Sequence, residues 1–99
     1  MRTVYRYDVA VTDFQVLQIQ GCIRVLSVGT GTHDNLSLWA LVDTEDTRDT
    51  QVNLRILGTG NPIPDFNYLT QFYTFLNTVV MGKLVWHIFI EVGRDVTVY

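Results

Sequence analysis

Apolar and polar residues alternate with a period of two along most of this chain, and that period predicts strands. Thr3–Val9 is the first, and Val11-Thr12-Asp13 turns the chain into a second, Phe14–Ile19. Gln20-Gly21 breaks the pattern before Cys22–Val28 resumes it as a third. Gly29-Thr30-Gly31 with His33-Asp34-Asn35 predicts a hairpin loop, and Leu36–Val42 a fourth strand that ends in a polar stretch from Asp43 to Thr50. Gln51–Leu57 alternates most cleanly: Val52, Leu54 and Ile56 face one way and Gln51, Asn53 and Arg55 the other, as in a half-buried strand.

Two prolines then enforce an irregular connection over Gly58-Thr59-Gly60-Asn61-Pro62-Ile63-Pro64-Asp65, because neither can donate a ladder hydrogen bond. Asp65–Gln71 holds either a short helix, with Asp65 as its N-cap, or a loop. A sixth strand is predicted over Tyr73–Met81 and a seventh over Leu84–Val92, joined by a two-residue Gly82-Lys83 hairpin. From Gly93 a polar tail runs to Tyr99, with room for a short edge strand. The expected fold is therefore all-β: one domain over residues 1–99, a small antiparallel sandwich or barrel of about seven strands with at most one short helix.

Several of these strands are apolar on both faces. Leu84, Trp86, Ile88, Ile90 and Val92 share one face, yet Val85 and Phe89 occupy the other; Trp39 and Leu41 likewise oppose Leu38, Ala40 and Val42. A single sandwich has one interior, so the second face calls for a cover. A homo-oligomer is the expected one, since large exposed apolar patches are rare on monomers; loops packed outside a three-layer monomer are the alternative.

Composition agrees with strands. Valine occurs 14 times, threonine 12 and isoleucine 6 against two alanines, and β-branched side chains lose rotamer freedom against a helical turn. Apolar residues make up 47% and charged residues 17% of the 99, which argues against a disordered tail and for a compact fold. The net charge of −3 disfavours nucleic-acid binding, which needs clustered Lys and Arg. No apolar run approaches the roughly 20 residues that cross a bilayer as a helix, and no secretory leader is expected. Cys22 is the single cysteine, which fits a reducing compartment. One lysine, Lys83, stands against six arginines, an imbalance that points to planar partners for some of the arginines.

Candidate chemistry gathers near Gly58–Asn61. Arg55-Ile56-Leu57-Gly58-Thr59-Gly60 loosely echoes Arg24-Val25-Leu26-Ser27-Val28-Gly29-Thr30-Gly31. Glycines let backbone N–H groups turn outward into an anion-binding concavity, and Arg55 could clamp a phosphate there; the plainer reading is that Gly58 and Gly60 only supply a turn. Trp39 and Trp86 are core residues on the plain reading and base-stacking platforms on the functional one, where a stacked base is worth about 1–3 kcal/mol. His87 follows Trp86 and so faces the opposite side of the sheet, either satisfied by a neighbour or touching a ligand. Enzyme chemistry is not expected. Cys22 has no sequence-level partner, His33, His87 and Asp34 lack metal-ligand spacing, and Asp43, Glu45, Asp46 and Asp49 lack the glycine and terminal glutamate of a calcium loop.

Leu38-Trp39-Ala40-Leu41-Val42-Asp43, Gly58-Thr59-Gly60-Asn61-Pro62-Ile63-Pro64 and Leu84-Val85-Trp86-His87-Ile88-Phe89 resemble, together, a family of small bacteriophage proteins. Its members are similar in an opening strand like Thr3–Tyr7, a stretch like Gly21–Val28, an LWALVD-like strand, a GTGxPIP turn and a closing VWHxF strand. The resemblance reaches to about Ile90, fits Asp65–Gln71 and the tail less well, and draws attention to Pro62 beside Trp39, Gly58, Gly60, Trp86 and His87 without assigning them roles. It implies a phage origin and a place in the cytoplasm of an infected bacterium. Two functions follow as expectations. One is capture of a phosphorylated nucleotide at a subunit interface, as a sponge against host immune signalling, through Trp39, Arg55, Gly58, Thr59, Gly60, Asn61, Trp86 and His87, with no cofactor and no metal. The other is a protein-interaction module serving phage assembly or inhibiting a host enzyme.

Overall fold

The computed structural model describes residues 1–92 and the backbone of residues 97 and 98. Its strands are β1 (Arg2–Val9), β2 (Phe14–Gln20), β3 (Cys22–Thr30), β4 (Leu36–Asp43), β5 (Asp49–Gly58), β6 (Thr74–Met81), β7 (Leu84–Val92) and β8 (Thr97–Val98), with one helix, α1 (Phe66–Phe72), between β5 and β6. They form two four-stranded sheets, ordered β1-β4-β3-β8 and β2-β5-β7-β6. Every pairing is antiparallel except that of β8, which lies parallel to β3 at the sheet edge. This is the expected all-β sandwich with one short helix. Its shortest dimension, 18 Å, fits two sheets about 10 Å apart with side chains on their outer faces.

The period-two pattern sorts residues between interior and surface. Leu36, Leu38, Ala40 and Val42 of β4 meet Val52, Leu54 and Ile56 of β5 and Ile88 and Ile90 of β7, all at most 1% exposed. On each of these strands the intervening residue faces out, so register alone decides which side chains build the core. Two tight turns follow the glycine signals: Gly82 (φ 60) opens the β6–β7 hairpin, and Gly21 (φ 67) bends β2 into β3. At the β3–β4 hairpin the positive φ angles fall instead on His33 (54) and Asp34 (65), so Gly29 and Thr30 remain within the strand.

β3 and β6 bring the two sheets together along an edge, and a side chain ties them. Asn77 accepts from the backbone N–H of Val28 (3.1 Å) and donates to its carbonyl (2.6 Å), standing in for a ladder partner at the point where β6 bulges.

The chain supplies part of its own outer layer. Residues 58–73 fold over the outer face of β5 and β7, where Leu57, Leu69 and Tyr73 form a second buried cluster with Ile63 and Phe89 packed against it. Phe89, whose exposure argued for another copy, is thus half-buried by its own chain; the alternative of an external layer holds for this face. Burying Leu69 alone is worth roughly 1.5–3 kcal/mol. On the opposite sheet Trp39 and Leu41 lie on the outer face at the register of Arg6 and Val4 of β1 and of Ser27 and Arg24 of β3.

Candidate functional site

Gly58-Thr59-Gly60-Asn61 is a tight turn at the end of β5. Asn61 N–H donates to the Gly58 carbonyl (3.1 Å), and Gly60 takes the third position with φ 86, a conformation open chiefly to glycine. Thr59 N–H donates to Val85 of β7 (3.2 Å). Two amides of the turn are therefore spent inside the fold, which corrects the expectation of an outward-facing amide concavity for phosphate.

The outer face of β7 brings His87 to this turn. Its Nε2 lies 2.6 Å from the Thr59 hydroxyl and its Nδ1 3.0 Å from the Thr78 hydroxyl of β6. A neutral imidazole has one N–H and one lone pair, so one threonine accepts from the ring and the other donates to it. The accepting threonine keeps its own O–H for a further partner. Beneath this chain of hydroxyls Phe75 and Phe89 pack edge to face with centroids 5.4 Å apart. Thr59, Gly60, Asn61 and His87, together with Leu57, Gly58, Ile63, Phe75 and Phe89, line an open cleft of about 270 Å³ that offers both aromatic and polar side chains.

A second cleft of about 350 Å³ lies across the same turn, bounded by Gly58, Thr59, Asn61, Lys83, Leu84, Val85 and Trp86. Trp86 faces inward at the end of the sandwich and packs on the main core, and its indole N–H is buried with no hydrogen-bond partner. Leaving such a donor unpaired costs about 1–3 kcal/mol. A Cβ on Gly58 would come within 3.3 Å of the Trp86 ring and 2.7 Å of Asn61 Nδ2, so the glycine is what lets both close on the turn.

Two expected site residues fall elsewhere. Arg55 makes a bidentate ion pair with Asp65 and donates through Nε to the Asp13 carbonyl (3.2 Å). Its guanidinium holds the Asp65 carboxyl below its ordinary range and is itself held charged by the pair. The arginine is committed to the fold, fastening the α1 segment to β5, and is not a free clamp for phosphate. Asp65 does occupy the N-cap position, yet it makes no side-chain capping bond because Arg55 takes its carboxylate. Trp39 lies on the other sheet, where its ring covers Gly29. The echo between the two arginine–glycine segments thus has a packing basis, since Gly29 and Gly58 each leave space for a tryptophan from a neighbouring strand.

Sequence reasoning missed Phe75, Thr78, Phe89 and Lys83. The signal for Lys83 was present, as the only lysine in the chain, but its reach to the turn depends on pairing β5 with β7. Cys22 is buried, and burial raises its thiol pKa, which suits an inert side chain. Among the described residues no group of His, Cys, Asp and Glu could hold a metal ion, and no helix is long and apolar enough to cross a membrane.

Fold and clefts together define a small two-layer antiparallel β-sandwich with a helical flap over one sheet. The chain belongs to the family described as a domain of unknown function, DUF7352, whose profile matches residues 1–97. No curated protein and no solved structure matches the chain.

Proposed function

We propose that this chain is a non-catalytic binding protein that captures a nucleotide on the two sides of the Gly58–Asn61 turn. The observation that carries the reading is the cleft lined by Phe75 and Phe89 together with Thr59, Asn61 and His87. A flat heterocycle suits such a place: its face lies on aromatic rings and its edge meets the amide and the hydroxyl groups that His87 holds in position. The volume is that of one ring system rather than a whole nucleotide. The phosphate then extends over the turn toward Lys83, which replaces Arg55 as the cation of the site. Through the motif resemblance the reading extends to a phage sponge that withdraws signalling nucleotides in the infected cell.

Native mass spectrometry with a panel of cyclic dinucleotides and ADP-ribose derivatives tests it. Retention of one nucleotide mass per site is expected. Lys83→Ala and His87→Ala should each weaken retention about tenfold while the protein stays folded. A protein that retains none of the panel overturns the reading. The interaction-module reading draws on a different feature, the exposed aromatic residues of α1, and would leave Lys83→Ala without effect.

A further inference from the structure

The helix α1 reads Phe-Asn-Tyr-Leu-Thr-Gln-Phe and buries Leu69 alone. Phe66, Tyr68 and Phe72 remain 57%, 51% and 47% exposed, with Tyr68 and Phe72 stacked at 4.7 Å between centroids. Below the helix a row crosses the sheet through directly paired residues: Phe14 of β2, Arg55 of β5, Phe89 of β7 and Phe75 of β6. Its two ends, Phe14 and Phe75, are 53% and 51% exposed. One side of the molecule thus shows five half-exposed aromatic rings. The only charged residue between Gly58 and Gly82 is Asp65, and Arg55 already pairs with it.

We infer that this side is the contact between two copies of the chain, with α1 at its centre. Aromatic enrichment with depletion of charge marks the core of protein interfaces, and obligate ones most. Half of an aromatic side chain is roughly 100 Å², so the five rings offer about 500 Å² of apolar surface per copy. A standard interface needs about 800 Å² per partner, and Asn67, Thr70 and Gln71 supply an uncharged polar rim. Asp13 and Glu91 lie at the margin of this side, near Arg55 and Tyr73, while the helix and its flanks carry no charge beyond the paired Asp65, and a two-fold axis matches such a neutral centre to itself.

Sedimentation velocity of the nucleotide-free protein tests this across about a hundredfold range of concentration. The expected mass is twice the 11.4 kDa of one chain. Tyr68→Glu and Phe72→Glu should each weaken self-association about a hundredfold. Leu41→Glu, on the outer face of the other sheet, should leave it unchanged. Hydroxyl-radical labelling of the unsubstituted protein reads the same contact without a folding question, since Tyr68 and Phe72 should become protected as concentration rises. A monomer at every concentration overturns the inference, as does a dimer that leaves Tyr68 and Phe72 unprotected or that Leu41→Glu disrupts. Phe75 belongs both to this patch and to the cleft beside the Gly58–Asn61 turn, so self-association is measured without nucleotide and nucleotide retention at concentrations below self-association, which keeps failure of one reading distinct from failure of the other.

Discussion

Gly21 and Gly58 both lack a side chain, for different reasons and with different consequences. A Cβ on Gly21 would sit 2.2 Å from the Asp43 carbonyl oxygen, and its φ of 67 is one that L-residues rarely adopt. Backbone cannot yield as a side chain does, so Gly21→Ala is expected to cost about 2–4 kcal/mol in urea denaturation. At Gly58 the nearest atom is the flexible end of Asn61, and φ is unremarkable for an L-residue. Gly58→Ala should therefore cost under about 1 kcal/mol yet swing Asn61 off the turn, so stability holds while nucleotide retention falls. Sequence marked both as glycines at turns. It could not tell which neighbour a Cβ would strike, because Asp43 is 22 positions from Gly21 and reaches it only through the β3–β4 pairing.

At the scale of elements, two side-chain ties decide how strands and helix fit together. Asn77 closes the β3–β6 edge by pairing both backbone groups of Val28. Asn77→Ala leaves an N–H and a C=O unpartnered in a half-buried place and should lower stability by about 2–4 kcal/mol, measured by urea denaturation. The second tie, Arg55 to Asp65, predicts a pH dependence. Arg55 hydrogen-bonds the ionised carboxylate and holds its pKa below the unfolded value near 4. The pair's contribution is thus complete above about pH 4 and is lost as pH falls through the lower folded pKa. Melting temperatures of wild type and Asp65→Asn should differ at neutral pH and converge in acid; a gap that stays constant to acid pH would show that the pair is not the cause. Asp46 behaves alike, its pKa lowered to about 2 by hydrogen bonds from Arg48. The arginine excess did signal planar partners, and bidentate pairs to Asp46 and Asp65 are what it signalled. That Arg55 is spent on Asp65 could not be read, since Asp65 looked equally suited to cap the helix.

At the scale of the molecule, the strands were legible and their neighbours were not. The expected segments match β1 to β7 to within about two residues at most ends, because burying one face of a strand imposes a period that composition cannot hide. Sheet membership carries no such local mark. Trp39 and Trp86 have similar surroundings in sequence, yet one lies on the outer face of the first sheet and the other inside the end of the second. The two-faced strands led to the expectation of a second copy, and the chain's own residues 58–73 cover one of those faces. That cover is itself apolar on its outer side, which moves the question of a second copy from β7 to α1. If two copies meet there, melting temperature should rise with protein concentration, because association favours the folded state by mass action. A melting temperature independent of concentration would argue for a monomer.

By itself the sequence determined the strand segments, the turns set by Gly21, Gly82 and the Gly58–Asn61 stretch, and a fold with a single β core. These follow from local physics: side-chain alternation, β-branching and the few residues that tolerate positive φ. Only the tertiary structure decided that His87 bridges Thr59 and Thr78, that Arg55 is spent on Asp65, and that Lys83 and Trp86 share a cleft beyond the turn. Each of these joins residues on different strands. Such contacts are set by which strands pair and in what register, a choice made by the whole core at once rather than by any window of the chain.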